Sequence, residues 1–332
     1  MEKTPKFSVI VLNYNGNKVL RPCIESVLKS DYPNFEIILV DNHSIDGSIE
    51  DVEQAFKNEP RIVFVKNDRP RYYAGGNTIG FEHSSGDFAV FINNDTEVEK
   101  NWLNGMEALF RDTAVGAVQP KILYHYTPDT IDNVGQEMDI FGFGFGRGHK
   151  QKDRGQFDKE EEIFFASGVA FSARSSLLKQ IGVFDEAYVF YYEDTDLSWR
   201  IRLAGFKILY CPASVVYHKV SKTTRVFSSA QELSFHARKN RLATLLRNYN
   251  FRNLCIFLPG TLLIYLLLYL KEIFVNRNVS LANTVILSIV WNLRNYGYNI
   301  SKRRIVQTEL RKINDGDIIK LMSKTPLFLK YG

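Results

Sequence analysis

The sequence predicts an α/β protein: a mainly parallel sheet with a pocket at its strand ends, followed by a helical region of different chemistry. Three observations carry that expectation. Over roughly the first 120 residues, short runs rich in Val, Ile and Phe alternate with segments of helical periodicity. Those runs end on Asn or Asp. After residue 218 the charge balance reverses: Lys219 onward carries 19 Lys/Arg against 5 Asp/Glu, whereas the residues before it carry 23 against 32.

The elements follow in order. "FSVIVLN" (7–13) reads as a buried strand, "VLRPCIESVLKS" (19–30) as a helix and "FEIILVDN" (35–42) as a second buried strand. "SIEDVEQAFKN" (48–58) is a helix with Ser48 as its expected cap, and "RIVFVKN" (61–67) is a third strand. "GGNTIGFEHSS" (75–85) opens another helix before the fourth strand, "DFAVFINND" (87–95). Strands joined through helices imply right-handed β-α-β units. Ligands of such sheets bind beyond the carboxyl ends of the strands. Those ends here are Asn13, Asp41-Asn42, Asn67-Asp68 and Asn93-Asn94-Asp95.

Between 120 and 160 the chain is loop-rich, and "FGFGFGRGHKQKDRGQFD" reads either as a flap over the pocket or as an exposed loop with anchoring Phe residues. "FASGVAFSARSSLLKQIGVFDE" (165–186) reads as strand, turn and helix. In "FYYEDTDLSWRIRLAGFKILYCP" (190–212), Leu197, Ile201 and Ala204 share one face of a helix closed by Gly205, and a strand follows. Glu193, Asp194 and Asp196 fall at that helix's start. The helix dipole favours one or two carboxylates there. Three acids behind the aromatic run "YVFYY" point instead to a catalytic placement.

At 332 residues there is room for one large domain or a domain with an appendage, and 45% hydrophobic with 24% charged residues is an ordinary globular composition. The expected division is a catalytic domain over 1–222 and a basic, aliphatic helical region over 223–332. Cys23, Cys211 and Cys255 lack metal or redox spacing, so a reducing compartment is expected. "FSVIVL" is short for a signal peptide core and leads into a strand-to-loop transition, so the body is expected in the cytoplasm. "NYNGNKVL" has one glycine and lacks the dinucleotide-binding fingerprint.

The C-terminal region holds 18 uncharged residues over 253–270, interrupted by Pro259-Gly260, and 16 more over 278–293. A spanning helix needs about 20. Basic flanks at Arg241, Arg247, Arg252, Lys271, Arg277, Lys302, Arg303 and Arg304 fit an interfacial or re-entrant attachment to a membrane surface. A transmembrane hairpin is one alternative; a buried helical pair in a soluble domain or homo-oligomer is the other. Nucleic acid is not an expected partner, because the cations interleave with aliphatic runs instead of stacking aromatics.

Taken in sequence, "VIVLNYNG", "LVDNHSIDGS", "AGGNTIG", "FINNDTEV", "DRGQFD", "SGVAFSARSSLLKQIGVFDE", "YYEDTDLSWRIRLAGFKILY" and "VVYHKVSKTT" resemble glycosyltransferase family 2 over roughly residues 6 to 220. These are inverting enzymes of the GT-A fold, and the likeness is to their rhamnosyltransferase-like bacterial branch. The resemblance implies that Asn13, Asp41, Asn77, Asn94 and Asp95 surround the donor nucleotide, with Asp41 accepting a hydrogen bond from the base. It implies that Asp95, the last acid of an Asp-x-Asp element, binds Mg²⁺ or Mn²⁺ beside the diphosphate. Asp194 matches the catalytic base, and His218 a histidine that adds a metal or diphosphate contact. The element here is Asn-Asn-Asp, so an amide replaces the first carboxylate.

These residue types suit sugar transfer from a nucleoside diphosphate sugar. A carboxylate near an acceptor hydroxyl can take its proton as the new bond forms, and a hard divalent cation stabilises charge on the departing diphosphate. The expected enzyme adds a sugar from a dTDP- or UDP-linked donor, rhamnose by the branch likeness, to a lipid-linked or polysaccharide acceptor at the cytoplasmic membrane face. The competing expectation is a non-catalytic sugar-nucleotide or glycan-binding subunit. A nucleotidyltransferase would want a basic phosphate loop near the first strand, where only Lys18 is available.

Overall fold

The computed structural model describes residues 4–220 and 229–327. The chain packs as two compact units, one formed by residues 1–136, 146–187 and 206–220, the other by 137–145, 188–205 and 221–332. The composition shift predicts one cut after residue 222, a position outside the described residues; packing instead draws the second unit from three segments.

The first unit opens with β1 (Phe7–Asn13), α1 (Leu20–Leu28), β2 (Phe35–Asp41), α2 (Ser48–Ala55), β3 (Ile62–Lys66) and α3 (Tyr72–Glu82). It continues with β4 (Phe88–Asn93), β5 (Thr96–Val98), α4 (Trp102–Phe110), β6 (Val115–Tyr124) and β7 (Thr127–Asn133). A separate hairpin, β8 (Gln136–Met138) and β9 (Gly144–Gly146), comes next in the chain, all but Gln136 and Gly146 of it belonging to the second unit. Then follow β10 (Glu161–Glu162), β11 (Ala170–Arg174), α5 (Ser175–Ile181) and, after α6 (Glu193–Leu203) of the other unit, β12 (Lys207–His218). The sheet order is β10-β12-β6-β11-β4-β1-β2-β3. β4, β1, β2 and β3 run parallel, β11 is antiparallel to both its neighbours, and β12 is parallel to β6.

β1 lies between parallel neighbours with helices over both faces, so its apolar run is continuous, not alternating. Val9, Ile10 and Val11 are fully buried, each contributing about 1.5–3 kcal/mol. Val9 and Val11 share a core with Ile24 and Val27 of α1 and Trp102 and Met106 of α4. On the other face α3 comes very close: a β-carbon on Gly76 would sit 2.4 Å from Leu12 Cδ1, and one on Gly80 would sit 2.5 Å from Ile10 Cγ2. That approach is the physical reason for the glycines of "AGGNTIG", and it lets the helix start at Tyr72, three residues before the pattern indicates.

Register makes the strand ends level. Asn13 pairs with Asp41, and Leu12 pairs with Asn93. One local expectation changes: Ser48 is the first helical residue of α2, and Gly47 precedes it as the cap position. The Ser48 hydroxyl is taken up by Asp46 Oδ1 at 2.6 Å, in the polar rim described below. "DRGQFD" is tied to β6, since Lys121 Nζ reaches Asp153 Oδ2 at 2.8 Å and Asp158 Oδ1 at 2.5 Å.

The second unit contains α6, α7 (Ala230–Asn248), α8 (Phe251–Leu270), α9 (Val279–Arg294), α10 (Tyr296–Ile305) and α11 (Asp315–Lys320). Ser229 caps α7 by accepting from Glu232 N, and Asn250 caps α8 through Asn253 N. α8 runs on through a π-helical turn, Lys271–Val275. Pro259 does not break it. A proline inside a helix forgoes one backbone bond at about 3 kcal/mol, and the burial of Thr261, Ile264 and Tyr265 on one side holds the helix together across it. Phe143, Leu242, Ile264, Tyr265 and Val285 form this unit's core. Within it the Arg241 guanidinium lies 3.6 Å from the Phe143 ring centre, and its Nε donates to Tyr192 OH at 2.7 Å.

Candidate functional site

The polar strand ends of the first unit form two linked clusters. The first centres on Asn13, fully buried at the end of β1. Its Nδ2 lies 3.1 Å from Asp41 Oδ1, 3.1 Å from Ser44 Oγ and 2.9 Å from Ser48 Oγ, so two hydrogens serve three acceptors. Its Oδ1 accepts from Asn94 Nδ2 at 2.8 Å. Asp41 Oδ2 accepts from Ser44 N at 3.1 Å, which curls the loop after β2 back over the carboxylate. Asp46 receives Asn17 N at 2.9 Å and is held below the usual carboxylate range; burial alone would raise it, and the Ser48 hydroxyl leads the hydrogen bonds that lower it. Asn13, Asp41 and Asn94 are therefore one network, in which Asn94 ties the turn after β4 to β1. Asn93 acts through its carbonyl, which accepts from Thr96 Oγ1 at 2.7 Å.

Asn77 is brought to neither cluster by a hydrogen bond of its own. It is buried on α3, its Nδ2 donates to Tyr73 O at 3.0 Å, and its Oδ1 has no partner.

The second cluster joins Asp95 to His218. His218 Nε2 lies 3.3 Å from Asp95 Oδ1, and its Nδ1 lies 2.7 Å from Asp132 Oδ2. Burial pushes the imidazole down, but Asp132 and Asp95 outweigh it and raise it to about 9. Glu97, the nearby second acid, is taken by Lys219 Nζ at 2.7 Å and His125 Nε2 at 3.1 Å. Burial works to raise the Glu97 carboxyl, and Lys219 leads the contacts that lower it overall.

The donor set fits a divalent cation. Two ligand atoms cis on an ion with ~2.1 Å bonds lie about 3 Å apart, close to the observed Asp95–His218 separation. Among the described residues no three His, Cys, Asp or Glu groups surround one point. The pair would thus supply two ligands, with Asp132 behind the imidazole.

Asp194 belongs to the second unit, where it is half-buried at the start of α6. Its Oδ1 accepts from Thr195 N at 2.6 Å and from Thr195 Oγ1 at 3.2 Å. The backbone before it is strained: Tyr191 and Tyr192 have φ of 64° and 72°, a region bulky residues avoid. Asn240 Nδ2 holds this turn, donating to Phe190 O and Tyr191 O at 2.8 Å each, and Tyr192 OH donates to Gly142 O at 2.8 Å. The three acids divide their tasks. Asp196 is structural, bound to Arg200 Nε at 2.8 Å and Asn248 Nδ2 at 2.9 Å. Glu193 is buried with Oε2 unpartnered, and burial, then the Asp194 charge, push it up to about 8.

The sequence matches the family described as Glycosyl transferase family 2 over residues 8–182. That is more than half the chain. The chain belongs to Glycosyl transferase family 2.

Among relatives of this family 2 chain, an uncharacterized protein, y4gI, of Sinorhizobium fredii is 28% identical over 67% of this chain and 25% of its own length. The O-antigen biosynthesis protein RfbC of Myxococcus xanthus is 26% identical over 67% of this chain and 18% of its own. The chain thus spans a quarter or less of these two relatives. A Campylobacter jejuni GalNAc(5)-diNAcBac-PP-undecaprenol beta-1,3-glucosyltransferase is 33% identical over 28% of this chain and 31% of its own. The fold is GT-A-like. GalNAc-T7, solved with UDP, GalNAc and Mn²⁺, superposes with a TM-score of 0.62 at 18% identity, covering 89% of this chain and 58% of that one. Staphylococcus aureus TarS 1–349 with UDP-GlcNAc gives 0.55 at 16%, covering 96% and 84%.

Sequence reasoning missed Asp132 and Asn240. Asp132 is the one acid of "TIDNVG", and Asn240 sits in a helix with no marked apolar stripe. The one signal near either was the aromatic run "YVFYY" before the three acids, which pointed to a catalytic placement and not to the residue that holds the turn.

Proposed function

We propose that this family 2 protein is an inverting transferase. It moves a sugar from a nucleoside diphosphate sugar to an acceptor hydroxyl, with Asp194 as general base and Asp95 with His218 holding Mg²⁺ or Mn²⁺. The observation that carries this reading is the convergence of Asn13, Asp41, Asn94, Asp95 and His218 at the carboxyl ends of a family 2 sheet. Asp41 offers a carboxylate to a pyrimidine base and its ribose, with Asn13 holding that carboxylate in place from beneath. The Asp194 carboxylate takes the hydroxyl proton as the acceptor oxygen bonds to the anomeric carbon. The bond from that carbon to the diphosphate breaks on the opposite side, the pair leaves with the diphosphate, and the anomeric centre inverts. A bound divalent cation supplies Lewis-acid stabilisation of that charge.

A dTDP- or UDP-linked donor and a lipid-linked or polysaccharide acceptor fit the relatives: TarS was solved with UDP-GlcNAc, and the Campylobacter relative's name specifies a PP-undecaprenol acceptor. The rhamnosyl preference rests on the motif likeness alone. Helix α8 favours the cytoplasmic membrane face. It is long and apolar enough to cross a membrane, yet one side is part of a protein core. Leu263, Leu266, Leu267 and Phe274 are more than half exposed on the same helix and its π-helical extension. A helix with one face committed to protein and one apolar face outward fits attachment in the plane of the interface.

The test is a thermal-shift series with UDP, dTDP and GDP sugars, with Mn²⁺ and with EDTA. Stabilisation by one nucleotide class that chelation removes supports the reading; indifference to every nucleotide overturns it. The amides at Asn93 and Asn94 favour a second reading, a non-catalytic binder. It predicts the same thermal shift without turnover.

A further inference from the structure

We infer that Asp132 is a positioning residue that holds the His218 imidazole in the orientation a divalent cation requires; this rests on the metal reading of Asp95 and His218 proposed above. The strand register carries the argument. β7 pairs antiparallel with β6, but Ile122 lies opposite Asn133 and Leu123 lies opposite Ile131. Asp132 is thus the extra residue of a β-bulge. A bulged residue leaves the ladder and its side chain is re-aimed. On the other side of β6, His218 pairs with Tyr124 at the end of β12. The re-aimed carboxylate crosses to that histidine and meets Nδ1 at 2.7 Å.

The consequence is chemical. With Nδ1–H donated to Asp132 Oδ2, the ring presents Nε2 toward Asp95 Oδ1, 3.3 Å away. A carboxylate on the far nitrogen fixes both the tautomer and the plane of a ligating imidazole, and its loss costs 10–100-fold in metal affinity. The other carboxylate oxygen, Oδ1, lies 3.5 Å from His149 Nδ1, which also lies 3.1 Å from the Asp132 carbonyl. The Asp132 side chain is 13% exposed, so its charge toward His218 is poorly screened.

The experiment measures Mn²⁺ affinity of the full chain by electron paramagnetic resonance of the free ion, first with Mn²⁺ alone and then with UDP. Wild type, Asp132→Asn and Asp132→Ala are compared. Asp132→Ala should bind 10–100-fold more weakly, and Asp132→Asn should lie between, because its amide oxygen still accepts from Nδ1. Should Asp132→Ala fail to fold, the Asn variant decides. Equal affinity in a folded variant and wild type overturns the inference and leaves the metal reading intact. No Mn²⁺ binding by wild type overturns both. A second readout needs no metal: ring ¹⁵N shifts of His218 should differ between wild type and Asp132→Asn, and identical shifts also overturn the role.

Discussion

Asn94 Nδ2 lies 2.8 Å from Asn13 Oδ1, which locks the turn after the fourth strand to the end of the first. Gly16 packs against that bond. A β-carbon there would fall 2.4 Å from Asn13 Oδ1 and 2.5 Å from Asn94 Nδ2. Gly16→Ala should therefore part the two amides, at about 1–3 kcal/mol of strain. The expected result is a folded protein whose UDP affinity by calorimetry falls at least tenfold. Unchanged UDP binding would show that the amide pair shapes the turn and does nothing for the nucleotide.

The acids of "YYEDTDL" should separate by assay. Asp194→Asn removes a base without changing side-chain size, so turnover should fall 10²–10⁴-fold while donor binding persists. Asp196→Ala deprives the buried Arg200 of its carboxylate at 2.8 Å and should cost about 3–5 kcal/mol of stability in denaturant titration. Wild-type turnover in Asp194→Asn would remove this residue from the mechanism.

Glu193 provides a pH test. An unfolded glutamate ionises near 4.5, whereas buried Glu193 keeps its proton to about 8. Between those values folding requires a proton that the unfolded chain has released, so this residue's contribution to stability declines as pH rises across the window. Glu193→Gln has no such proton to take up. Its unfolding free energy in denaturant titration should match wild type near pH 4 and exceed it increasingly toward pH 8, by up to a few kcal/mol. Parallel curves for the two proteins would contradict the raised ionisation.

Much of the sheet and part of the site were legible in the sequence for one reason. In a parallel sheet buried on both faces, apolar runs stop where the strand meets the ligand side, so Asn13, Asp41 and Asp95 announce themselves. What pattern reading could not reach depends on register and tertiary packing. Asp132 acquires its direction from one extra residue opposite β6. Tyr191 and Tyr192 enter left-handed backbone because Asn240, nearly fifty residues on, holds their carbonyl neighbourhood. Ser48 looked like a cap because it has the right side chain, but Asp46 and Asn13 claim its hydroxyl. Pro259 looked like a break because sequence cannot weigh one lost hydrogen bond against the burial of Ile264 and Tyr265.

The same helix yields the last prediction. On α8, Tyr265 is fully buried and its hydroxyl donates to Arg238 O at 2.8 Å, while Leu263 and Leu267 are 57% and 58% exposed. Crossing a bilayer would strip Tyr265 from that carbonyl, so the attachment proposed above would lay the helix in the interface with its leucines toward the lipid. Arg252, Lys271, Arg277 and Arg294 are exposed along α8 and α9 and would each add about 1 kcal/mol against an anionic leaflet. Leu263→Glu with Leu267→Glu should leave the unfolding free energy within about 1 kcal/mol of wild type, since both sites are already exposed. Co-sedimentation with phosphatidylserine vesicles should drop at least tenfold, and the wild-type interaction should weaken with salt but persist in part through its apolar face. Alkaline carbonate should release the wild-type protein. Retention through carbonate would mean a spanning helix, and sedimentation of the double variant at wild-type levels would move the attachment away from this face altogether.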